Sequence, residues 1–171
     1  DKGLGVLAEA LRSRPDLTDV TLVLAGAPRF VDESTTRAVE DALGSLGPRV
    51  RRLGWVAPER LLHDVDGLVV PSTAPESCGL AAAEAIAAGV PCVVSDAGAL
   101  PEVVGAGHPW VARSGDPRSL ADALGAWVAA DRVQLRTVAQ SQRARWEREY
   151  SPAAARPRVE ATIDGVVGST R

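Results

Sequence analysis

Three short runs of this chain are apolar almost without interruption: 20–24 (VTLVL), 66–70 (DGLVV) and 91–95 (PCVVS). A strand with one wet face alternates apolar and polar residues, whereas a continuously apolar strand has to be covered on both faces. Between these runs lie segments with helical spacing, such as 3–14, where Leu4, Leu7, Ala8 and Leu11 share a face. Buried strands alternating with helices specify an α/β domain, with a parallel sheet between two helical layers and right-handed crossovers. Weaker strands are expected at 50–56 and 110–112. Helices are expected from a cap at Asp32 or Ser34 to about Leu46, from Pro58 through PERLLHDV, and over 79–88. A single turn is expected near 100–104, and further helices over 117–130, 131–150 and from 151 to about 167. Pro15, Gly47-Pro48, Gly89 and Pro91 act as stops. Ligands of such sheets bind beyond the carboxyl ends of the strands, so function is sought in the loops that follow them.

The remaining composition narrows the classes. With 46% hydrophobic and only 4% aromatic residues, 171 residues can form one domain around an aliphatic core. A net charge of −3 leaves no electrostatic footprint for nucleic acid, so any phosphate must be held locally, by amides and one or two cations. Lys2 is the only lysine; every other cation is arginine. The chain has no methionine, so Asp1 is expected not to be the native start and the chain to be a piece of a longer protein. Cys78 and Cys92 are too few for a disulfide framework. No apolar run has membrane-spanning length and no secretory signal is visible. A reduced, cytoplasmic setting is expected, with membrane association only through parts outside this chain. There is no G-x-G-x-x-G, hence no dinucleotide fingerprint.

The stretch 71–91 (PSTAPESCGLAAAEAIAAGVP) is where these constraints converge. It reads as a strand end, a loop, a slim alanine-rich helix and its stop. Glu76 lies in the loop and Glu84 in the helix, four residues beyond Leu80 and so on the same face. Its carboxylate leans toward the helix start, into the space that Glu76 borders. Ser77, Cys78, Gly79 and Leu80 open the helix with little bulk, and Gly79 leaves room for a ligand near the backbone. Unpaired amides and the positive dipole end suit an anion, while the two carboxylates suit hydroxyls. As an isolated pair, the glutamates would read as solvated surface groups; the alanines around Glu84 argue against that. Cys78 reads as a small helix-start residue rather than a nucleophile.

The pattern PS-x3-E-x-x-GL-x3-EA-x-A-x-GVP-x-V resembles the donor-domain signature of the group 1 retaining glycosyltransferases. Lys2-Gly3 with Leu7, Ala10 and Leu11, LVLAGAP at 22–28, VRRLGWV at 50–56, SDAGALPEVV at 95–104 and SGDPRSLADAL at 114–124 are similar to other parts of that family, in its order. The resemblance covers about the whole chain. It implies a Rossmann-like three-layer α/β domain, the C-terminal half of a GT-B fold, spanning residues 1–171. The N-terminal acceptor domain and the first strand would precede Asp1. It further implies that Glu84 bonds the ribose of a nucleotide diphosphate sugar (UDP-, GDP- or ADP-linked) and that Glu76 faces the donor sugar. Backbone N–H groups of Cys78, Gly79 and Leu80 would meet sugar and diphosphate, Lys2 would neutralise the leaving diphosphate, and Val56 would lie by the base. No cofactor and no metal are expected. Two departures stand out: the family's upstream arginine would precede Asp1, and Cys78 replaces a frequent aromatic.

The closest rival enzyme is a GT-B sugar-nucleotide epimerase, against which the Glu76–Glu84 pair argues. A noncatalytic sugar-nucleotide module is the rival from another class. His63 and His108 lack metal-ligand spacing and read as surface or loop residues. Glu102 is either a pocket-shaping carboxylate or a plain helix-start one. Residues 143–148 (RARWER) read as a solvated helix face, with Trp146 and Tyr150 packing it down and Trp127 in the core.

Overall fold

The computed structural model describes residues 2–27 and 32–168. Strands and helices alternate in the order α1 (Leu4–Arg12), β1 (Leu22–Ala25), α2 (Glu33–Gly44), β2 (Val50–Gly54), α3 (Pro58–His63), β3 (Leu68–Val70) and α4 (Leu80–Ala87). Then follow β4 (Cys92–Ser95), α5 (Leu100–Val104), β5 (Val111–Ala112), α6 (Pro117–Ala129), α7 (Arg132–Glu149) and α8 (Pro152–Gly168). Pro28, the end of the LVLAGAP segment, lies outside the described residues. Caps set the boundaries of three helices. Asp32, Asp116 and Asp131 each accept hydrogen bonds from first-turn amides of α2, α6 and α7.

Every ladder is parallel, as expected. β1 pairs with β2 in the register Leu22↔Val50, and β3, β4 and β5 pair in that order, with Leu68↔Cys92 and Val94↔Val111. Two features differ from the expectation of one sheet covered on both faces. The ladders form two separate pieces, and among the described residues no ladder joins β1 to β3. Two-sided burial holds for β4, whose four residues are all buried, but β2 is exposed from Arg51 to Gly54. Its arginines leave it fit only for an edge. β1 also begins later than the apolar run. Val20 is held in a turn by Leu17, and its carbonyl accepts from the Arg49 guanidinium.

The strand alternation sorts side chains into two layers. Val69 and Val93 point to one side, into a core of Leu7, Leu11, Leu43, Trp110, Leu120 and Leu124 under α1, α2 and α6. Leu68, Val70, Cys92 and Val94 point to the other, against Ala82, Ala85 and Ile86 of α4 and Leu100, Val103 and Val104 of α5. Ala82 and Ala85 of α4 are fully buried, which lets its backbone lie close on the sheet.

Helix α7 is fixed by more than its apolar face. His108 sits in a loop but is half-buried rather than a surface residue. Its Nε2 donates to the Cys92 carbonyl at 2.8 Å and its Nδ1 accepts from Gln142 Nε2 at 3.3 Å. Burial lowers its pKa. Nor is 143–148 wholly solvated, because Arg145 reaches the carbonyl of Glu102 at 3.0 Å, beside the Tyr150 hydroxyl. Trp146 packs against the α4–α5 core and Trp127 against the other, as expected.

Candidate functional site

Lys2 and Glu76 are 74 residues apart and in direct contact, Nζ to Oε1 at 2.6 Å. Gly3 makes the approach possible. It has φ of +71°, and a Cβ there would lie 1.8 Å from the carbonyl oxygen of Pro71. Only glycine lets the start of α1 abut the end of β3 this closely. Glu76 is anchored from below as well, because the Ser72 hydroxyl donates to the same Oε1 at 2.6 Å. Donation from Lys2, and then from Ser72, holds the carboxyl below the usual glutamate range against a smaller opposing effect of burial.

The loop around Glu76 is braced by α5. Ala99 N donates to the Glu76 carbonyl at 2.9 Å, and Glu76 forms a parallel bridge with Gly98. Gly79 follows with φ of +59° and caps α4 without a side chain. A Cβ there would meet Leu100 at 3.1 Å and Val103 at 3.3 Å. Its role therefore differs from the expected one: it turns the chain and admits α5, and its missing Cβ faces apolar packing rather than open ligand space. Helices α1 and α4 share a property that sets them apart from the aspartate-capped helices. Each starts at a left-handed glycine, with no side-chain cap and no acidic residue in its first turn. Both starts carry unneutralised dipole ends.

Glu84 lies on the other flank of α4. It lines a cleft of about 230 Å³ with Ala25 and Gly26 at the end of β1, Trp55, Val56 and Pro58 after β2, and Ala81. Val56 and Glu84 are thus brought together, at the carboxyl ends of the strands. Leu80 is 63% exposed and does not line this cleft; Ala81 is the α4 neighbour that does. Lys2 and Glu76 are not among its lining residues either. The two carboxylates border two sides of the α4 start rather than one shared space. The arrangement offers a cation and a carboxylate on one side, amides in the middle, and a carboxylate in an apolar cleft on the other.

The sequence reading missed three serines. Ser72 is 1% exposed and Ser95 2%. The carbonyl of Ser72 accepts from Ser95 Oγ at 2.7 Å and from Ser114 Oγ at 3.1 Å. Ser72 stands inside the PS-x3-E pattern, which was its one visible signal. Trp55, 80% exposed at the cleft, was also passed over. Cys78 is exposed, Glu102 contributes its carbonyl to Arg145, and His63 is exposed beside Asp64. Among the described residues, no group of three or more His, Cys, Asp or Glu stands close enough to hold a metal ion, and no helix is long and apolar enough to cross a membrane.

The family model for glycosyl transferases group 1 matches residues 1–130. A phosphatidyl-myo-inositol mannosyltransferase of Mycobacterium leprae is 32% identical over 158 residues, which is 90% of this chain and 41% of that protein. A D-inositol 3-phosphate glycosyltransferase of Mycobacterium marinum is 31% identical over 170 residues, 94% of this chain and 34% of that one. The chain thus spans less than half the length of these relatives. Among solved structures, Anabaena HepE in complex with UDP-glucose superposes with a TM-score of 0.85 at 26% identity, over 96% of this chain and 45% of that one. Sucrose-phosphate synthase of Thermosynechococcus elongatus superposes with a TM-score of 0.81, also at 26% identity, over 98% of this chain and 43% of that one.

Proposed function

The chain belongs to the group 1 glycosyltransferases and has the Rossmann-like architecture of one half of a GT-B fold, and from that premise we propose that it is the donor-binding domain of a retaining glycosyltransferase. The observation that carries the proposal is the divided site around α4. The diphosphate of a nucleotide sugar lies at the α4 start, on the amides of Cys78, Gly79 and Leu80. The ribose reaches Glu84 in the cleft, and the base lies by Val56. The sugar sits on the side of Glu76. Lys2 turns to the diphosphate and offsets the charge that grows on it as the glycosidic bond breaks. Each contact uses a chemistry present in the structure: uncapped amides, a carboxylate in a cleft, and an ammonium on a side chain that is 75% exposed.

The acceptor domain is assigned to sequence before Asp1, together with a strand that runs into α1. Two observations support the strand. β1 and β3 have no ladder to each other, and the start of α1 abuts Pro71 at the end of β3. A strand entering α1 would rise between them. The HepE structure contains UDP-glucose, which favours a uridine donor for this chain within the UDP, GDP and ADP set. The family match favours transfer over epimerisation.

The test is turnover by the full-length protein with UDP-, GDP- and ADP-sugars. The expected result is acceptor-dependent release of one nucleoside diphosphate, with the product anomer matching that of the donor by NMR coupling constants. An inverted anomer would refute retention. Binding of the donor without turnover under any acceptor would favour the noncatalytic module.

A further inference from the structure

Glu76 is held by two donors of unlike exposure. Lys2 and Ser72 donate to the same oxygen, each at 2.6 Å. The Lys2 side chain is 75% exposed, whereas Ser72 is 1% exposed. A nucleotide diphosphate carries more negative charge than one carboxylate and takes stronger charge-assisted bonds. It therefore competes for the Lys2 ammonium and leaves Glu76 with the serine alone. The serine is built to stay. Its carbonyl accepts from the hydroxyls of Ser95, at the end of β4, and Ser114, just after β5. Ser114 is itself fixed, its N–H donating to Asp96 Oδ1 at 2.7 Å. Three adjacent strand ends are thus tied to one peptide, whose hydroxyl points at Glu76. A buried hydroxyl needs such an acceptor, and this one keeps its orientation because its backbone is clamped.

We propose that Ser72 is the positioning residue of Glu76: when the donor draws Lys2 away, the Ser72 hydroxyl, clamped by Ser95 and Ser114, keeps the carboxylate aimed at the sugar. The hand-over of Lys2 rests on the donor-binding reading above, but the Ser72–Glu76 bond exists without a ligand and is testable without one. Nothing need move except the lysine, so Glu76 keeps its place through the donor-bound state. Ser72 acts through Glu76 and, being buried, touches no substrate.

The experiment uses the full-length protein with 13Cδ-labelled glutamate, so that Glu76 is titrated by NMR. In the Lys2→Ala background, which imitates the drawn-off lysine, Glu76 is expected to titrate below the ordinary glutamate range. Adding Ser72→Ala is expected to return it to that range, about 4.3 in model peptides. Ser95→Ala and Ser114→Ala, which only loosen the clamp, are expected to shift it in the same direction by less, and they carry the test if Ser72→Ala fails to fold. With donor and acceptor, Ser72→Ala is expected to lower kcat by on the order of tenfold with KM little changed, as misplacement of a reacting group does. The loss should vanish in a Glu76→Gln background. Glu76 titrating identically with and without the Ser72 hydroxyl, while the donor still binds, overturns the inference alone. Failure of every nucleotide sugar to bind, while Ser72→Ala still moves Glu76, overturns the donor reading alone.

Discussion

Replacing Gly98 by alanine tests how the loop of Glu76 is held. Gly98 has φ of +60°, a left-handed conformation that costs a residue with a Cβ about 1–2 kcal/mol. The new methyl would also lie 2.4 Å from the Glu76 carbonyl oxygen and 2.6 Å from its nitrogen. Both contacts are with backbone, which no rotamer can relieve. The loop must move, opening the bridge and the 2.9 Å bond from Ala99 N to the Glu76 carbonyl. Overpacking of this kind costs roughly another 1–3 kcal/mol, so a total of about 2–5 kcal/mol is expected. Gly89→Ala supplies the control. Its φ is +76°, but a Cβ there meets nothing within 4 Å; only the conformational cost of about 1–2 kcal/mol applies. Equilibrium urea unfolding measures both, and nucleotide affinity separates them further, since only Gly98→Ala displaces Glu76. Equal losses of stability at the two positions, with equal affinities, would refute the reasoning.

Thiol labelling should distinguish the cysteines. Cys78 is exposed and reacts with iodoacetamide in the folded protein, whereas Cys92, fully buried and pushed up to about 12, reacts only on unfolding; equal rates would contradict the packing of β4 against α4. Acid should destabilise the protein in two windows. His108 has a lowered folded pKa, so the unfolded state takes the proton first, and stability falls as pH drops from about 6.5 toward the folded value. His108→Gln should flatten that slope, and an unchanged slope would contradict its burial against Cys92 and Gln142. Glu76 is also lowered, so its contribution is complete above the ordinary glutamate range and lost as pH falls through its folded value. Glu76→Gln should remove that part of the acid limb in urea-midpoint measurements.

The helix between Gly79 and Gly89 that carries Glu84 was legible in the sequence, because a helix start and its periodicity are local properties. Lys2-Gly3 stood out only through the family resemblance, and its contact with Glu76, across 74 residues, was not legible. Nor was the serine clamp. Ser72, Ser95 and Ser114 are single polar residues at strand ends, joined across 23 and 42 residues, and no local pattern announces such a meeting. The role of Gly79 was misread because its φ is a local property, while the approach of Leu100 and Val103 is set by how α5 lands. An apolar run announces a strand but does not name its neighbours, so the order of the strands in the sheet was not legible. The loop position of His108 was legible but its burial was not, because its partners, the Cys92 carbonyl and Gln142, become neighbours only when α7 docks.

The central claim is that Glu84 and the α4 start form a nucleotide diphosphate site. Calorimetric titration of the full-length protein with UDP, GDP and ADP, in wild type and Glu84→Ala, tests it most directly. One diphosphate should bind, and the substitution should weaken it by about 1.5–3 kcal/mol, the range for a hydrogen bond to a charged group. Binding that is unchanged by Glu84→Ala, or no binding of any nucleoside diphosphate to the wild type, would contradict the account.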